Sequence, residues 1–297
     1  MPADALDDAV ARDAALTDLD WAVIPEGVRR TSFDAPSGTL ATIEAGASTD
    51  PLVLLVPGVT GSKEDFILMI PMLVEAGFHV VSYDMAGQYE SHDAGPEHLR
   101  PPRAHYDHEL FVADMLAVLE SYGGPAHVLG YSFAGTVAEI ALNLRPELFR
   151  SLTLLSAPPQ SGQGFRGVKR IGWFSSLATG RMGAAFMIGG LRLNVTKVPP
   201  LRAKFVIDRL AFTRRKSVID IISLMKRKPD LDYELSAADI PKLVAVGEHD
   251  LWPTALHREF ADAIGARLAV YETGHSPCET APHQLVHDLL ALYEDAA

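Results

Sequence analysis

The chain has 297 residues, with 26 Lys+Arg against 38 Asp+Glu and a formal charge of -12. Its 48% hydrophobic and 22% charged residues exclude a mostly disordered chain, and the length fits one large domain or a core with an insertion. The acidic sum argues against a nucleic-acid partner, and the lone Cys278 excludes an internal disulfide framework or a multi-cysteine zinc site.

The charge is unevenly spread. Residues 158–235 hold fifteen basic side chains and five acidic ones, a charge of +10, which leaves -22 for the rest. Such an asymmetry points to two bodies with different jobs. Residues 1–20 carry six Asp and one Arg without an apolar run, so no secretory signal is expected. The most apolar part of the basic stretch, residues 183–191, falls far short of the roughly 18 residues of a membrane-spanning helix. The cytoplasm is the expected location.

In chain order, residues 3–20 are rich in Ala, Leu and Asp and read as a short, exposed helix or a frayed tail. Residues 28–35 and 38–45 flank Pro36-Ser37 and read as a hairpin. Residues 52–56 form a continuous apolar run, as in a strand buried on both faces. Residues 62–76 have helical spacing through Phe66, Met69, Ile70 and Leu73. A strand at 80–83, a helix at 107–122, a strand at 126–131, a helix at 134–144 and a strand at 152–156 follow. The alternation stops over 158–236, where patterns such as 204–210 and 217–225 are helical. It resumes with strands at 242–246 and 268–271 and helices at 255–264 and 282–293. Alternation of this kind predicts an α/β fold with a mostly parallel central sheet flanked by helices. The expected division is an N-terminal extension (1–28), a discontinuous core (29–157 and 237–297) and an inserted helical cap (158–236).

The strongest local signal is Gly130-Tyr131-Ser132-Phe133-Ala134-Gly135, between a predicted strand and a predicted helix. It places Ser132 on a sharp turn that exposes its hydroxyl, with Ala134 where the usual small-x-Ser-x-small pattern has glycine. A serine hydroxyl is a poor nucleophile at neutral pH, so it needs an oriented base. His275 follows the last predicted strand, and Asp250 follows the one before it. In a parallel sheet all three loops emerge at the carboxyl edge. Glu248 is an alternative acid, and His249 reads as a loop residue. The pairs His105/His108 and His283/His287 have helical metal-pair spacing but no carboxylate-rich partner motif, so no metal and no cofactor are expected. Cys278 lies near His275 and could line the site.

This combination resembles the α/β-hydrolase superfamily over residues 29–297. The order Ser, Asp, His matches. Val56-Pro57-Gly58-Val59 is similar to the family's oxyanion loop, with Pro57 as a departure. Tyr83-Asp84-Met85-Ala86-Gly87-Gln88-Tyr89-Glu90-Ser91 is similar to an Asp-x-x-Gly-x-Gly-x-Ser segment, with Gln88 and Tyr89 as departures. The resemblance implies a catalytic Ser132, His275 and Asp250, with an oxyanion hole from the backbone N–H groups of Val59 and Phe133. Family members that open epoxides or remove halides use aspartate at the nucleophile position, so Ser132 argues against both.

The implied reaction is hydrolysis of a carboxylic ester, lactone or thioester of a small to medium molecule through an acyl-enzyme. Amide and carbon–carbon hydrolases and perhydrolases share the same three residues, and a ligand receptor or scaffold on this fold is the non-enzyme alternative. Tyr131, Trp252, Trp173 and Phe186 are candidate substrate contacts. The basic insertion raises three readings: an entrance for an amphipathic or anionic substrate, contact with an acidic membrane surface, or charges that pair with the acidic core. Oligomeric state is left open.

Overall fold

The computed structural model describes residues 3–168, 180–192 and 198–296. An eight-stranded sheet runs in the order β1-β2-β4-β3-β5-β6-β7-β8. Strands β1 (Arg29–Ala35) and β2 (Gly38–Ala45) form the expected hairpin, with Ala35 opposite Gly38 so that Pro36-Ser37 is the turn. Strand β2 pairs antiparallel with β4 (His79–Tyr83). Strands β3 (Leu52–Val56), β5 (Ala126–Tyr131), β6 (Phe149–Leu155), β7 (Lys242–Gly247) and β8 (Arg267–Tyr271) complete a parallel array with β4.

The apolar runs are continuous because both faces of the sheet are covered. Every residue of β3, β4, β5 and β7 is buried. Successive side chains of a strand point to opposite faces. Leu54 and Val56 therefore join one core, with helices α3 (His108–Ser121) and α4 (Phe133–Leu144). Val53 and Leu55 join the other, with α2 (Ile70–Glu75) and the C-terminal helix. Helix α3 starts where Asp107 accepts a hydrogen bond from the Leu110 N–H (2.9 Å), an N-cap.

Between β6 and β7 the described residues contain four helices: α5 (Gly180–Arg192), α6 (Pro200–Phe212), α7 (Arg215–Met225) and α8 (Asp232–Ala237). Beyond β7 come α9 (Thr254–Ile264), the short α10 (Pro277–Thr280) and α11 (Pro282–Glu294). No helix among the described residues is long and apolar enough to cross a membrane.

One expectation is corrected. The helix read over 62–76 is two pieces: a 3-10 turn at Lys63–Phe66 and then α2. Pro71, in the first turn of α2, has no N–H to continue a helix from upstream, so it marks a start. Residues 3–14 form the expected short, largely exposed helix, α1 (Ala3–Ala14). Asp13 accepts hydrogen bonds from the N–H groups of His283 and Gln284, at 2.9 and 3.1 Å. It thus caps the N-terminus of α11 with a carboxylate. Ala9 and Trp21 are buried with it.

The hairpin turn is pinned by a buried acid. Asp114 on α3 accepts from the Ser37 N–H (3.0 Å) and the Ser37 hydroxyl (2.6 Å). Burial pushes its carboxyl up to about 7, against the pull of the Ser37 hydrogen bonds. The unfolded carboxyl titrates near its ordinary value of about 4. The folded state thus keeps a proton that the unfolded chain has lost, and this contribution to stability falls as pH rises from about 4 to about 7. Asp114→Asn removes that slope. Urea unfolding at pH 5 and pH 8 should show the variant gaining on the wild type by on the order of 2 kcal/mol between the two. An unchanged difference would refute the buried neutral acid.

Candidate active site

The sharpest backbone feature lies where β5 meets α4. Ser132 sits at φ 53°, ψ −119°, a sparsely populated region for a residue with a side chain. Its N–H donates to the Leu155 carbonyl (2.8 Å), and its own carbonyl accepts from the Gly135 N–H (2.9 Å). The strand and helix are so close that a Cβ on Gly130 would lie 2.5 Å from the Ala134 carbonyl oxygen. Ala134 itself is buried in α4 within the core, so its methyl is accommodated.

His275 meets this serine from the loop after β8. Its Nε2 lies 3.2 Å from Ser132 Oγ, and its Nδ1 lies 3.0 Å from Asp250 Oδ1. Burial acts to raise the Asp250 carboxyl, but its pairing and hydrogen bond with His275 outweigh this and hold it below its ordinary range. An ionised carboxylate can only accept, so Nδ1 carries the proton and Nε2 is left to accept from the serine hydroxyl. The loops are tied to each other as well. The Glu248 N–H donates to the Tyr271 carbonyl (2.7 Å) and the His249 N–H to the Thr273 carbonyl (2.9 Å). Asp250, rather than its neighbour Glu248, supplies the carboxylate bonded to His275.

The residues expected to contact substrate divide. Tyr131 and Trp252 are both buried, with ring centroids 5.5 and 6.0 Å from that of His275. Tyr131 Oη shares a hydrogen bond with Ser276 Oγ (2.8 Å), and Trp252 Nε1–H donates to the Gly164 carbonyl (2.7 Å). Both rings stand beside the imidazole. Trp173 and the side chain of Phe186 lie outside the described residues. Cys278 is wholly buried, and burial pushes its thiol well above its usual range, so it stays a thiol. His105 faces Asp220 (3.2 Å), and His283 faces Asp13 (2.7 Å). Among the described residues no group of three or more His, Cys, Asp or Glu could hold a metal ion.

The loop after β3 runs against the serine. A Cβ on Gly58 would lie 2.9 Å from Ser132 Cβ, so only glycine permits this approach. Val59 follows, half-buried against the core. Phe133 opens α4, and a first-turn N–H has no acceptor within its own helix. Both backbone groups expected to receive an oxyanion thus stand on segments that flank Ser132.

Sequence reasoning missed the charges packed behind this loop. Lys63, Glu64 and Asp65 are all buried. Lys63 Nζ donates to Asp84 Oδ2 (3.0 Å) and Glu90 Oε2 (2.5 Å), and the Lys63 N–H donates to Asp84 Oδ1 (2.8 Å). Asp84 belongs to the segment already singled out, which was the only pointer to this cluster. Gln88, a departure from the family pattern, accepts from the Thr60 N–H (2.9 Å) and donates to Ser217 Oγ (2.6 Å), so it joins the loop to α7.

Three cations of the basic insertion are turned inward. Arg202, Arg209 and Lys228 are buried, and Lys228 pairs with Glu139 on α4 (3.0 Å). Arg214 pairs with Glu97. The reading in which these charges answer the acidic core is thus visible at four positions.

The sequence matches the Alpha/beta hydrolase family over residues 53–289. The chain belongs to that family. Its fold is similar to a putative aryl esterase from Burkholderia cenocepacia, with TM-score 0.73, 16% identity, and coverage of 90% of this chain and 99% of that one. It is also similar to a thermophilic esterase from Thermogutta terrifontis, with TM-score 0.71, 18% identity, and coverage of 90% and 99%. An epoxide hydrolase from Vigna radiata is similar too, with TM-score 0.69, 14% identity, and coverage of 91% and 99%. No curated protein matches the sequence. At these identities the structures share the fold, while the chemistry rests on each protein's own residues.

The tight strand-to-helix turn of this α/β hydrolase has a direct test. Gly130→Ala forces a methyl into backbone atoms and should cost about 1–3 kcal/mol in urea unfolding. Gly124→Ala, where no atom lies within 4 Å of the added Cβ, should leave the midpoint in place. Equal midpoints for the two variants would show that the turn has room to spare.

Proposed function

We propose that this α/β hydrolase is a serine hydrolase that cleaves a carboxylic ester, lactone or thioester through an acyl-enzyme. The observation that carries the reading is the hydrogen-bonded chain from Ser132 Oγ through His275 to Asp250. Its order of donors suits proton removal from the serine. Nε2 takes the Ser132 proton as Oγ attacks the substrate carbonyl, and Asp250 stabilises the imidazolium that forms. Charge then builds on the carbonyl oxygen. The Val59 and Phe133 N–H groups are the assigned donors there. Collapse of the tetrahedral intermediate breaks the bond to the leaving oxygen or sulfur, which takes the proton from the His275 imidazolium and departs as the alcohol or thiol, and leaves the acyl group on Ser132. Water, deprotonated by the same imidazole, releases the acid and restores the serine.

An aspartate at position 132 would attack a carbon with a carboxylate oxygen. The serine present here needs the base that His275 supplies, which favours acyl transfer. Esters fit best because an alkoxide leaves with less help than an amine. The buried pairing of Arg202, Arg209 and Lys228 withdraws three cations of the insertion from any anionic entrance, so neutral esters of small to medium size are the first substrates to try.

Replacement of Ser132 by Ala should lower kcat on an active ester by roughly four to six orders of magnitude. Asp250→Asn should lower it by about 10³–10⁴, through loss of the productive imidazole tautomer, with the fold unchanged. Steady-state kinetics on a panel of p-nitrophenyl esters, with circular dichroism as the fold control, checks both. Undiminished hydrolysis by the Ser132 variant would end the proposal.

A further inference from the structure

Four charged side chains meet where the inserted helices press on the sheet, apart from the chain that links Ser132, His275 and Asp250. Arg202 and Arg209 come from α6, Asp65 from the 3-10 turn after the Gly58 loop, and Glu279 from α10. Arg202, Arg209 and Asp65 are at most 5% exposed, and the Glu279 side chain is 10% exposed. Arg202 Nη2 donates to Asp65 Oδ1 (2.7 Å) and to Glu279 Oε1, while its Nε donates to Glu279 Oε2 (2.9 Å). Arg209 Nη1 donates to Asp65 Oδ1 and to Ser62 Oγ (3.3 Å). The Arg202 guanidinium also lies over the Trp21 ring, 4.4 Å from its centroid. Two cations and two anions balance, so the group tolerates burial.

Each carboxylate leads to one side of the candidate site. Asp65 Oδ2 accepts from the Ser62 N–H (3.2 Å), and the Gly61 N–H closes a turn on the Gly58 carbonyl (3.0 Å). Gly58 is the residue pressed on Ser132. On the other side, the Glu279 N–H donates to the Ser276 carbonyl (3.0 Å), next to His275, and Ser276 Oγ is tied to Tyr131. Arg202 is thus bonded both to Asp65, which follows the loop beside the serine, and to Glu279, on the segment that follows the base. Its planar fork engages both oxygens of Glu279 and still reaches Asp65, which a lysine cannot do.

We propose that Arg202 is a positioning residue, bridging the Gly58 loop and the His275 loop so that docking of the inserted helices and assembly of the site are one event. The proposal rests on the serine-hydrolase reading for its catalytic consequence. It predicts more than stability. Arg202→Lys keeps the charge and loses the fork. Arg202→Met with Glu279→Gln removes one charge of each sign, which avoids a stranded buried ion.

The test combines hydrogen exchange, thermal melting and kinetics on p-nitrophenyl acetate. Both variants should melt within a few degrees of the wild type. In both, amides of residues 57–62 and 274–281 should exchange roughly tenfold faster or more. Both should lose roughly tenfold or more in kcat, with KM changed less than about threefold, as expected when reacting groups are misplaced. Exchange that quickens in one loop alone or in neither would overturn the bridge. So would wild-type kcat in either variant. If the double variant fails to fold, Arg202→Lys carries the test alone. If the wild type itself hydrolyses no ester, the serine-hydrolase reading falls, and the exchange measurement still decides whether Arg202 couples the two loops.

Discussion

Ser132 occupies a backbone conformation that costs on the order of 1–3 kcal/mol for a residue with a side chain. The surrounding structure over-determines it. Strand β5 ends one residue earlier, helix α4 starts one residue later, and the Leu155 carbonyl on β6 holds the serine N–H. Glycine at 130 lets the helix turn back onto the strand it has just left, and glycine at 58 lets a second loop close over the turn. At this turn the Ser132 hydroxyl lies 3.2 Å from His275 Nε2.

The second constraint is electrostatic. An acidic core and a basic insertion attract, but the attraction is realised as a few buried, hydrogen-bonded pairs. Lys228 reaches Glu139 on the helix that follows the serine, and Arg202 and Arg209 reach Asp65 behind the Gly58 loop. Desolvation makes such pairs poor sources of net stability, but breaking one partner is costly.

Much of this was legible in the sequence. Strands β3, β4, β5 and β7 stand out because burial on both faces removes polar alternation. Ser132, Asp250 and His275 could be picked out because each follows a strand of the alternating pattern, and the parallel sheet brings those three ends to one edge. Other features were hidden for physical reasons. Lys63, Glu64 and Asp65 look like a solvated turn, since nothing local reveals the partners Asp84, Arg202 and Arg209. Asp13 looks like part of an acidic tail, because the α11 amides it caps lie about 270 residues away. Tyr131 and Trp252 are large aromatics, and the partners of their polar ends, Ser276 and the Gly164 carbonyl, lie far along the chain where no local pattern reveals them. Long-range pairing of charge is the part of the fold that local pattern conveys least.

The central claim is that Ser132 is an activated nucleophile rather than a well-placed hydroxyl. Fluorophosphonate labelling followed by peptide mass spectrometry tests it most directly, since the probe phosphonylates only a serine whose proton has a base to go to. The account predicts one adduct per chain, on Ser132, lost when His275 is replaced by Ala. An unlabelled wild type, or an adduct on another residue, would contradict it.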